Sequence, residues 1–348
     1  MPAAATDDDA AAAIAAHQVC EVYTEPKPEI TSAAEAALTK ISLKVGAMQV
    51  ADLSLDGLSL AAIYFFAAIG LAITFGVMGV INMAHGEFTT MGAYTCYVVQ
   101  RIVRGYTASL NVAFPLAFSL AFAIPFGAGV AMQRLVIRHL YKRPLETLLA
   151  SFGISIALQP LFKNIFGTEA RPLTSPDWLG GALIFDDVVS ISNIRIAIIV
   201  LAALFLCFFL YMMKRTRLGL EVRAVTQNPA MAASMGINPG RINMLTCGLG
   251  SGIAGSAGVA IGLFAKVTSE LGTDHIVQSF MTVVVGGVGN ICGALFGATM
   301  IGGLQKAIEW LNPSNTLAAQ TCMILFIILF FQVRPPGIIA LKGRAAGD

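Results

Sequence analysis

Between Gly57 and Ala84 the chain contains no Asp, Glu, Lys or Arg. A bilayer core takes about 20 consecutive apolar residues of helix, and in lipid every backbone polar group must be paired internally, so only helices or closed barrels can cross. Further charge-free windows lie at Gly105–Gln133, Ile196–Met213, Ile242–Ala265, Ile276–Gln305 and Leu311–Val333. Each is far longer than a barrel strand. The expected fold class is therefore all-α, a polytopic membrane protein. Two shorter stretches, Phe88–Gln100 and Thr147–Phe162, raise the expected number of transmembrane helices to eight or nine. The count turns on Ile276–Gln305, where Gly286, Gly287, Gly289 and Asn290 invite a break, so that this window crosses once or twice.

Composition agrees with a chain built for lipid. It is 56% hydrophobic and 12% charged, whereas soluble domains carry about 25% charged residues. A net charge of +2 is too small to suggest nucleic acid. The basic residues sit between apolar blocks, where they set orientation. Arg134, Arg138, Lys142 and Arg143 form one cluster; Lys214, Arg215, Arg217, Arg223 and Arg241 form a second; Arg334, Lys342 and Arg344 form a third. All three are expected on the cytoplasmic side. The stretch Asn164–Asn193, whose basic residue is Arg171, is expected to face outward.

Residues 1–50 differ in composition, with Asp7, Asp8 and Asp9 in an Ala-rich context and without the basic and apolar regions of a signal peptide. They are expected to form a poorly structured tail with a short helix around Ser32–Val45. Residues 51–344 form the transmembrane domain, with a cytoplasmic loop at 214–241, and 345–348 a short C-terminal tail. The cysteines Cys20, Cys96, Cys207, Cys247, Cys292 and Cys322 are scattered singly, five of them in apolar blocks, and are expected to be small core residues.

The glycines have a pattern of their own. Gly248–Gly262 reads GLGSGIAGSAGVAIG and contains a formal dinucleotide fingerprint, Gly250 to Gly255. The fingerprint needs a preceding strand and a helix N-terminus, and this one lies inside an apolar span. Gly250, Ala254, Gly258 and Gly262 recur every four residues, the spacing that lets membrane helices approach closely. The chain also has no GxxxxGK[ST] run, so no P-loop for ATP.

Two stretches carry polar residues where they are costly. The first is GVINMAHGEF, Gly79–Phe88, at the end of the first charge-free window. At helical spacing Asn82 and His85 are neighbours, with Glu87 about one turn beyond Met83. One reading has Asn82 and His85 satisfying backbone groups at a kink and Glu87 opening the next helix, where its charge suits the dipole. The other makes the stretch a substrate-lining or gating element at a broken helix. An internal echo links FGVMGVIN at Phe75–Asn82 with VGGVGN at Val285–Asn290. The second stretch is the loop Glu221–Ile242. There Asn228 and Pro229 make an N-cap and first-turn pair, and Met231, Ala232 and Met235 form the apolar face of a short helix stopped by Gly236. So short a helix is unstable alone and must dock, on its own bundle or on a partner.

INMAHGEF, the loop Arg223–Ala232 with its following Gly-Ile-Asn, GGVGN and the ending QVRPPGIIALKGR together resemble the permease subunits of branched-chain amino acid type ABC importers. Within that family the chain is most similar to urea permeases, through GLGSGIAGSAGVAI, SFMTVVVGGVGNICGALFGA and FFQVRPPGIIALKGR. The resemblance covers about Asp56 to Arg344. It implies a permease of the inner membrane, not an enzyme, that binds no cofactor. Its expected partners are a second homologous permease, two cytoplasmic ATPases that use ATP, and a periplasmic binding protein. It also implies that Asn228, Pro229, Ala230, Met231, Ala232, Ala233, Met235 and Gly236 form the turn that couples to an ATPase, although the acidic start of the general importer consensus is missing here. Urea is small and neutral and needs amide- and hydroxyl-type partners; Asn82, His85, Thr89, Thr90, Ser279 and Asn290 are candidates for its path, with Glu87 at the entrance. A branched-chain amino acid instead needs poles for its ammonium and carboxylate and an apolar pocket. A proton-coupled transporter using His85 and Glu87, or a passive channel, are the alternatives from another class.

Overall fold

The computed structural model describes residues 28–106, 110–140, 143–176, 178–185, 189–311, 316–333 and 337–338. Cys20, Lys142, Arg334, Lys342, Arg344 and residues 345–348 lie outside these. The chain divides into two compact units, Met1–Val50 and Ala51–Asp348. In the first, the described residues are helical from Pro28 onward and the helix does not stop at Val45. Ala34, Glu35, Ala36, Ala37, Leu38 and Lys40 are all strong helix formers, and no proline stands between Glu29 and Met78 to stop the helix. The helix is assigned as Pro28–Met78 (α1).

In the second unit, α1 ends at Met78 and His85–Tyr106 (α2) follows. Leu110–Met132 (α3) runs into a π-helical turn at Gln133–Ile137 and a last helical turn at Arg138–Leu140. Pro144–Phe166 (α4) comes next. A two-stranded hairpin of Ala182–Phe185 (β1) and Val189–Ser192 (β2) then forms, antiparallel with Ala182 opposite Ser192. It is the one pair of strands among the described residues, beside an isolated bridge between Arg171 and Val267, and lies in the stretch expected to face outward. Asn193–Arg215 (α5), Arg217–Gln227 (α6), Pro229–Ser234 (α7), Pro239–Phe264 (α8), Leu271–Gly286 (α9), Ile291–Leu311 (α10) and Thr316–Val333 (α11) complete the order.

Six described helices are long and apolar enough to cross a membrane: α1, α3, α4, α5, α8 and α10. The reading of eight or nine crossings counts three more that fall short for physical reasons. In α2, Glu87 near the start and Arg101 and Arg104 near the end break up its apolar character; α9 has 16 residues; α11 has an apolar stretch of Gln320–Val333. The window Ile276–Gln305 is interrupted: α9 stops at Gly286 and α10 begins at Ile291.

The core is built on two helices. Phe65, Phe66 and Ile69 of α1 share one apolar cluster with Ile198 and Phe209 of α5, Ile253 and Ile261 of α8, Val283 of α9 and Ile301 of α10. Helix α8 is buried on nearly every side from Thr246 to Gly262 except at Leu249, and it packs on both α2 and α3. Most of α4 and α5 faces away from the protein. Several hydroxyls inside the bundle return to the carbonyl one turn back, as in Thr95 to Met91 (2.7 Å) and Thr282 to Gln278 (2.7 Å), and so are paired within their own helix. Across helices, Tyr64 donates to Gln305 Oε1 at 2.7 Å, and Arg195 pairs with Asp56.

The cysteines divide. Cys96 and Cys247 are buried, whereas Cys207, Cys292 and Cys322 are exposed. The expectation of core positions therefore fails for these three, which sit on outward faces of α5, α10 and α11, where a small apolar side chain meets lipid as readily as protein.

Candidate functional site

Gly79 ends α1. Its N–H donates to Phe75 O at 2.9 Å and its φ is +66°, a conformation only glycine adopts cheaply. The chain then turns for six residues before α2. Asn82 and His85 are consequently not neighbours on one helix, as their spacing suggested, because the helix stops before either. Asn82 precedes α2 and its Oδ1 accepts from the Ala84 N–H at 3.1 Å. His85 is the first residue of α2, and its Nε2 lies 3.0 Å from Ala67 O of α1; a carbonyl partner fixes Nε2 as the protonated nitrogen. Glu87 stands in the first turn of α2 and accepts from Ser155 Oγ of α4 at 3.2 Å. Ser151 Oγ, one turn earlier on α4, accepts from the Met83 N–H at 3.1 Å. The joint is thus tied to α1 through His85 and to α4 through Met83 and Glu87.

The remaining path candidates occupy similar positions. Thr89 Oγ1 donates to His85 O within α2 at 3.3 Å. Thr90 Oγ1 accepts from the Gly272 N–H of α9 at 2.8 Å. Ser279 Oγ returns to His275 O at 2.8 Å. Asn290 caps α10, its Oδ1 accepting from Cys292 N–H at 3.1 Å and Gly293 N–H at 3.3 Å. Asn82, His85, Glu87, Thr89, Thr90 and Ser279 are all buried. Asn82 borders a void of about 10 Å³, shared with Thr74, Thr147, Ser151 and Cys247, which is far smaller than an amino acid. The structure thus gathers Asn82, His85, Glu87, Thr89 and Thr90 at the start of α2 and leaves Ser279 and Asn290 on α9 and the α9–α10 joint. Ser155, Ser151 and Ala67 were not among the sequence candidates. Ala67 acts through its backbone, and the two serines lie in a window that pattern alone marks only as a span.

The small-residue face of α8 meets more than one helix. A Cβ on Gly250 would come 2.7 Å from Gly70 O of α1, and one on Gly258 would sit on the Thr89 carbonyl of α2. Gly262 faces Leu173, and Ala254 lies in a cluster with Met78, Ala84 and Phe88. Gly252 and Gly255, on another side, face Phe122 and Pro125 of α3. The residues of the formal dinucleotide fingerprint are therefore mid-helix and in contact with three helices.

At the far end of α6, the Asn228 side chain accepts from the N–H groups of Ala230 and Met231, both at 3.1 Å, with Pro229 in the first turn. Gly236, with φ +87°, follows the end of α7. The expected apolar face of α7 splits. Ala232 is 4% exposed and packs with Val222, Val225 and Ile242, against which Val77 of α1 also rests. Met231 and Met235 are 64% and 78% exposed and point away. Ala230 and Ala233 are exposed as well.

The chain thus combines buried polar groups at the start of α2 with an exposed two-methionine turn after α6. Residues 53–331 match the family described as branched-chain amino acid transport system / permease component, and the chain belongs to that family. It is 28% identical over 291 residues to the high-affinity branched-chain amino acid transport system permease protein BraD of Pseudomonas aeruginosa, covering 82% of this chain and 94% of that one. The corresponding LivH protein of Escherichia coli is also 28% identical, covering 82% and 93%. LivM of Salmonella typhimurium, a permease protein of a system of the same name, is 23% identical over 327 residues, covering 85% and 74%. No solved structure matches significantly. The chain is accordingly a multi-pass inner-membrane protein and a transport subunit, with ATP hydrolysis residing in separate subunits, in a family whose members work with a second permease.

Proposed function

We propose that the chain forms half of the translocation path of an ATP-driven importer of branched-chain amino acids, together with a second homologous permease, two cytoplasmic ATPases and a periplasmic binding protein. The observation that carries the coupling part of this reading is the split face of α7. Met231 and Met235 face outward, and Ala232 shares one packed cluster with Ile242 and Val77. Val77 stands two residues before the Gly79 break. An ATPase seated on the methionines therefore has a continuous line of packed side chains to the α1–α2 joint. In this reading Asn82, His85, Glu87, Thr89, Thr90, Ser279 and Asn290 belong to the joints that reshape the path, and His85 and Glu87 shape the kink and entrance without chemistry. ATP is used by the partner subunits and this chain binds no cofactor.

The family description and the relatives' printed names support branched-chain amino acids as the substrate. Urea is the second reading, favoured by the segments GLGSGIAGSAGVAI and SFMTVVVGGVGNICGALFGA. The geometry gives the proton-coupled reading no direct support: His85 faces Ala67 on α1 and Glu87 faces Ser155 on α4, and among the described residues no hydrogen bond joins the two side chains.

The test is uptake of labelled leucine and labelled urea at micromolar concentration by cells carrying this chain with its neighbouring transporter subunits, with and without ATP depletion. ATP-dependent accumulation of leucine is the expected result. Accumulation of urea alone replaces the substrate and keeps the importer; flux that survives ATP depletion overturns the importer itself.

A further inference from the structure

A basic cavity of about 560 Å³ opens where the π-helical turn after α3 meets the start of α8. Arg134, Arg138 and Arg241 line it, and no Asp or Glu does. None of the three guanidinium groups makes an ion pair among the described residues. Two further lining residues, Gln133 and Asn243, are each 4% exposed and each has a side-chain carbonyl oxygen without a hydrogen-bond partner. Those two oxygens are themselves sealed from solvent, so the charged groups left to meet a ligand in the cavity are the three arginines. The π-helical turn contributes to the shape: the Arg138 N–H reaches back to Gln133 O, five residues away, and such wide turns recur at functional sites.

The ligand chemistry follows from the donors. Guanidinium forks match phosphate oxygens. Three guanidinium groups with no carboxylate in the lining repel a cationic headgroup and suit a phosphate that carries none. The arginines belong to two of the clusters placed on the cytoplasmic side, where basic pockets between membrane helices take lipid headgroups. Leu135, between Arg134 and Arg138 in sequence, is 72% exposed and offers apolar surface beside an acyl chain. We propose that this cavity binds a phosphate group without a cationic substituent, of the kind carried by phosphatidylglycerol.

The test uses the whole transporter and, separately, this full chain, each purified in detergent and equilibrated with phosphatidylglycerol or phosphatidylcholine, with retained lipid counted by native mass spectrometry. One phosphatidylglycerol per chain is expected, with no retained phosphatidylcholine. Removing two forks in Arg138→Gln/Arg241→Gln should weaken retention by about tenfold or more, while Arg215→Gln/Arg217→Gln, which removes the same charge from the neighbouring loop, leaves it unchanged. Displacement by millimolar inorganic phosphate assigns the site to a soluble phosphate compound, and resistance to it assigns the site to the lipid. Equal retention of the two lipids, equal loss in both double variants, or retention by the isolated chain that disappears in the whole transporter overturns the proposal, the last because a partner subunit then fills the cavity.

Discussion

Gly76 in the last turn of α1 lies against Gly289 of the α9–α10 joint, so closely that a Cβ on Gly76 would come 2.6 Å from the Gly289 Cα. Two helix breaks therefore meet. Both contain positive-φ glycines, Gly79 in one and Gly287 and Gly289 in the other, and each holds an asparagine whose side chain accepts from a backbone N–H two residues on, Asn82 from Ala84 and Asn290 from Cys292. Backbone against backbone leaves no side chain to yield. Gly76→Ala should cost about 1–3 kcal/mol, the usual price of overpacking. Gly153→Ala, mid-helix in α4 with open space around the new Cβ, should be neutral or gain up to about 1 kcal/mol. Thermal unfolding of the two purified variants compares them directly, and equal behaviour would show that the joints do not press on one another.

The echo between Phe75–Asn82 and Val285–Asn290 was legible in sequence because it rests on residue types with few uses: glycine for a positive-φ turn, asparagine for a side-chain bond to the backbone two residues on. Helix identity was legible for the same kind of reason, since charge-free windows have few alternatives in lipid. Boundaries were not. The Gly57–Ala84 window continues to Ala84 in composition but stops at Met78 in structure, because a φ of +66° at Gly79 leaves no trace in hydrophobicity. The site was half legible. Polar residues at depth marked Asn82, His85 and Glu87, but their partners Ala67, Ser151 and Ser155 depend on which helices pack together, and a single sequence does not carry that. On α7 the spacing grouped Met231, Ala232 and Met235, although position 232 turns inward on a two-turn helix while 231 and 235 turn out.

The His85 ring bridges α2 to Ala67 O of α1 at 3.0 Å and is 1% exposed. His85→Ala removes that bond and leaves a void beside Gly70. A loss of about 1–3 kcal/mol is expected, with reduced uptake and unchanged association with the ATPase subunits. Normal uptake with lowered stability would restrict His85 to holding the joint together.

Lys163 of α4 lies 2.7 Å from Glu270, which precedes α9. The hydrogen bond from Lys163, with its charge, holds the Glu270 carboxyl below the ordinary carboxylate range. A carboxylate with a lowered folded-state pKa stabilises at pH above its ordinary value and loses that contribution as pH falls through the lowered one. The pair is solvent-exposed, so its effect is small. Lys163→Gln should therefore melt slightly below the parent at neutral pH, with the gap closing as the pH drops under the carboxylate range. A gap independent of pH would assign the effect of Lys163 to its aliphatic stem.

Gly258 of α8 faces the Thr89 carbonyl with no room for a side chain. Replacing it with Val should separate α2 from α8, which share the small-residue face, and displace the joint that begins α2. Reduced accumulation in the membrane is expected, since the clash is with backbone; full accumulation with full uptake would mean that α2 and α8 can part without consequence.

The methionine turn offers the cleanest separation of folding from coupling. Met231 and Met235 are exposed, so Met231→Asp and Met235→Asp bury no charge in this chain and should leave its membrane level and melting point close to the parent, within about 0.5 kcal/mol. If an apolar pocket of an ATPase receives them, each aspartate must be desolvated on docking, at a cost of several kcal/mol, and ATP-driven uptake should fall by at least about tenfold with loss of ATPase co-purification. Ala232→Asp, one residue away but 4% exposed, should behave oppositely, lowering the level of the chain itself because the charge enters the cluster of Val222, Val225 and Ile242. If all three variants transport normally, α7 does not dock. If all three lose protein, the turn is a structural corner, and the line from the methionines through Ala232 and Val77 to Gly79 transmits nothing.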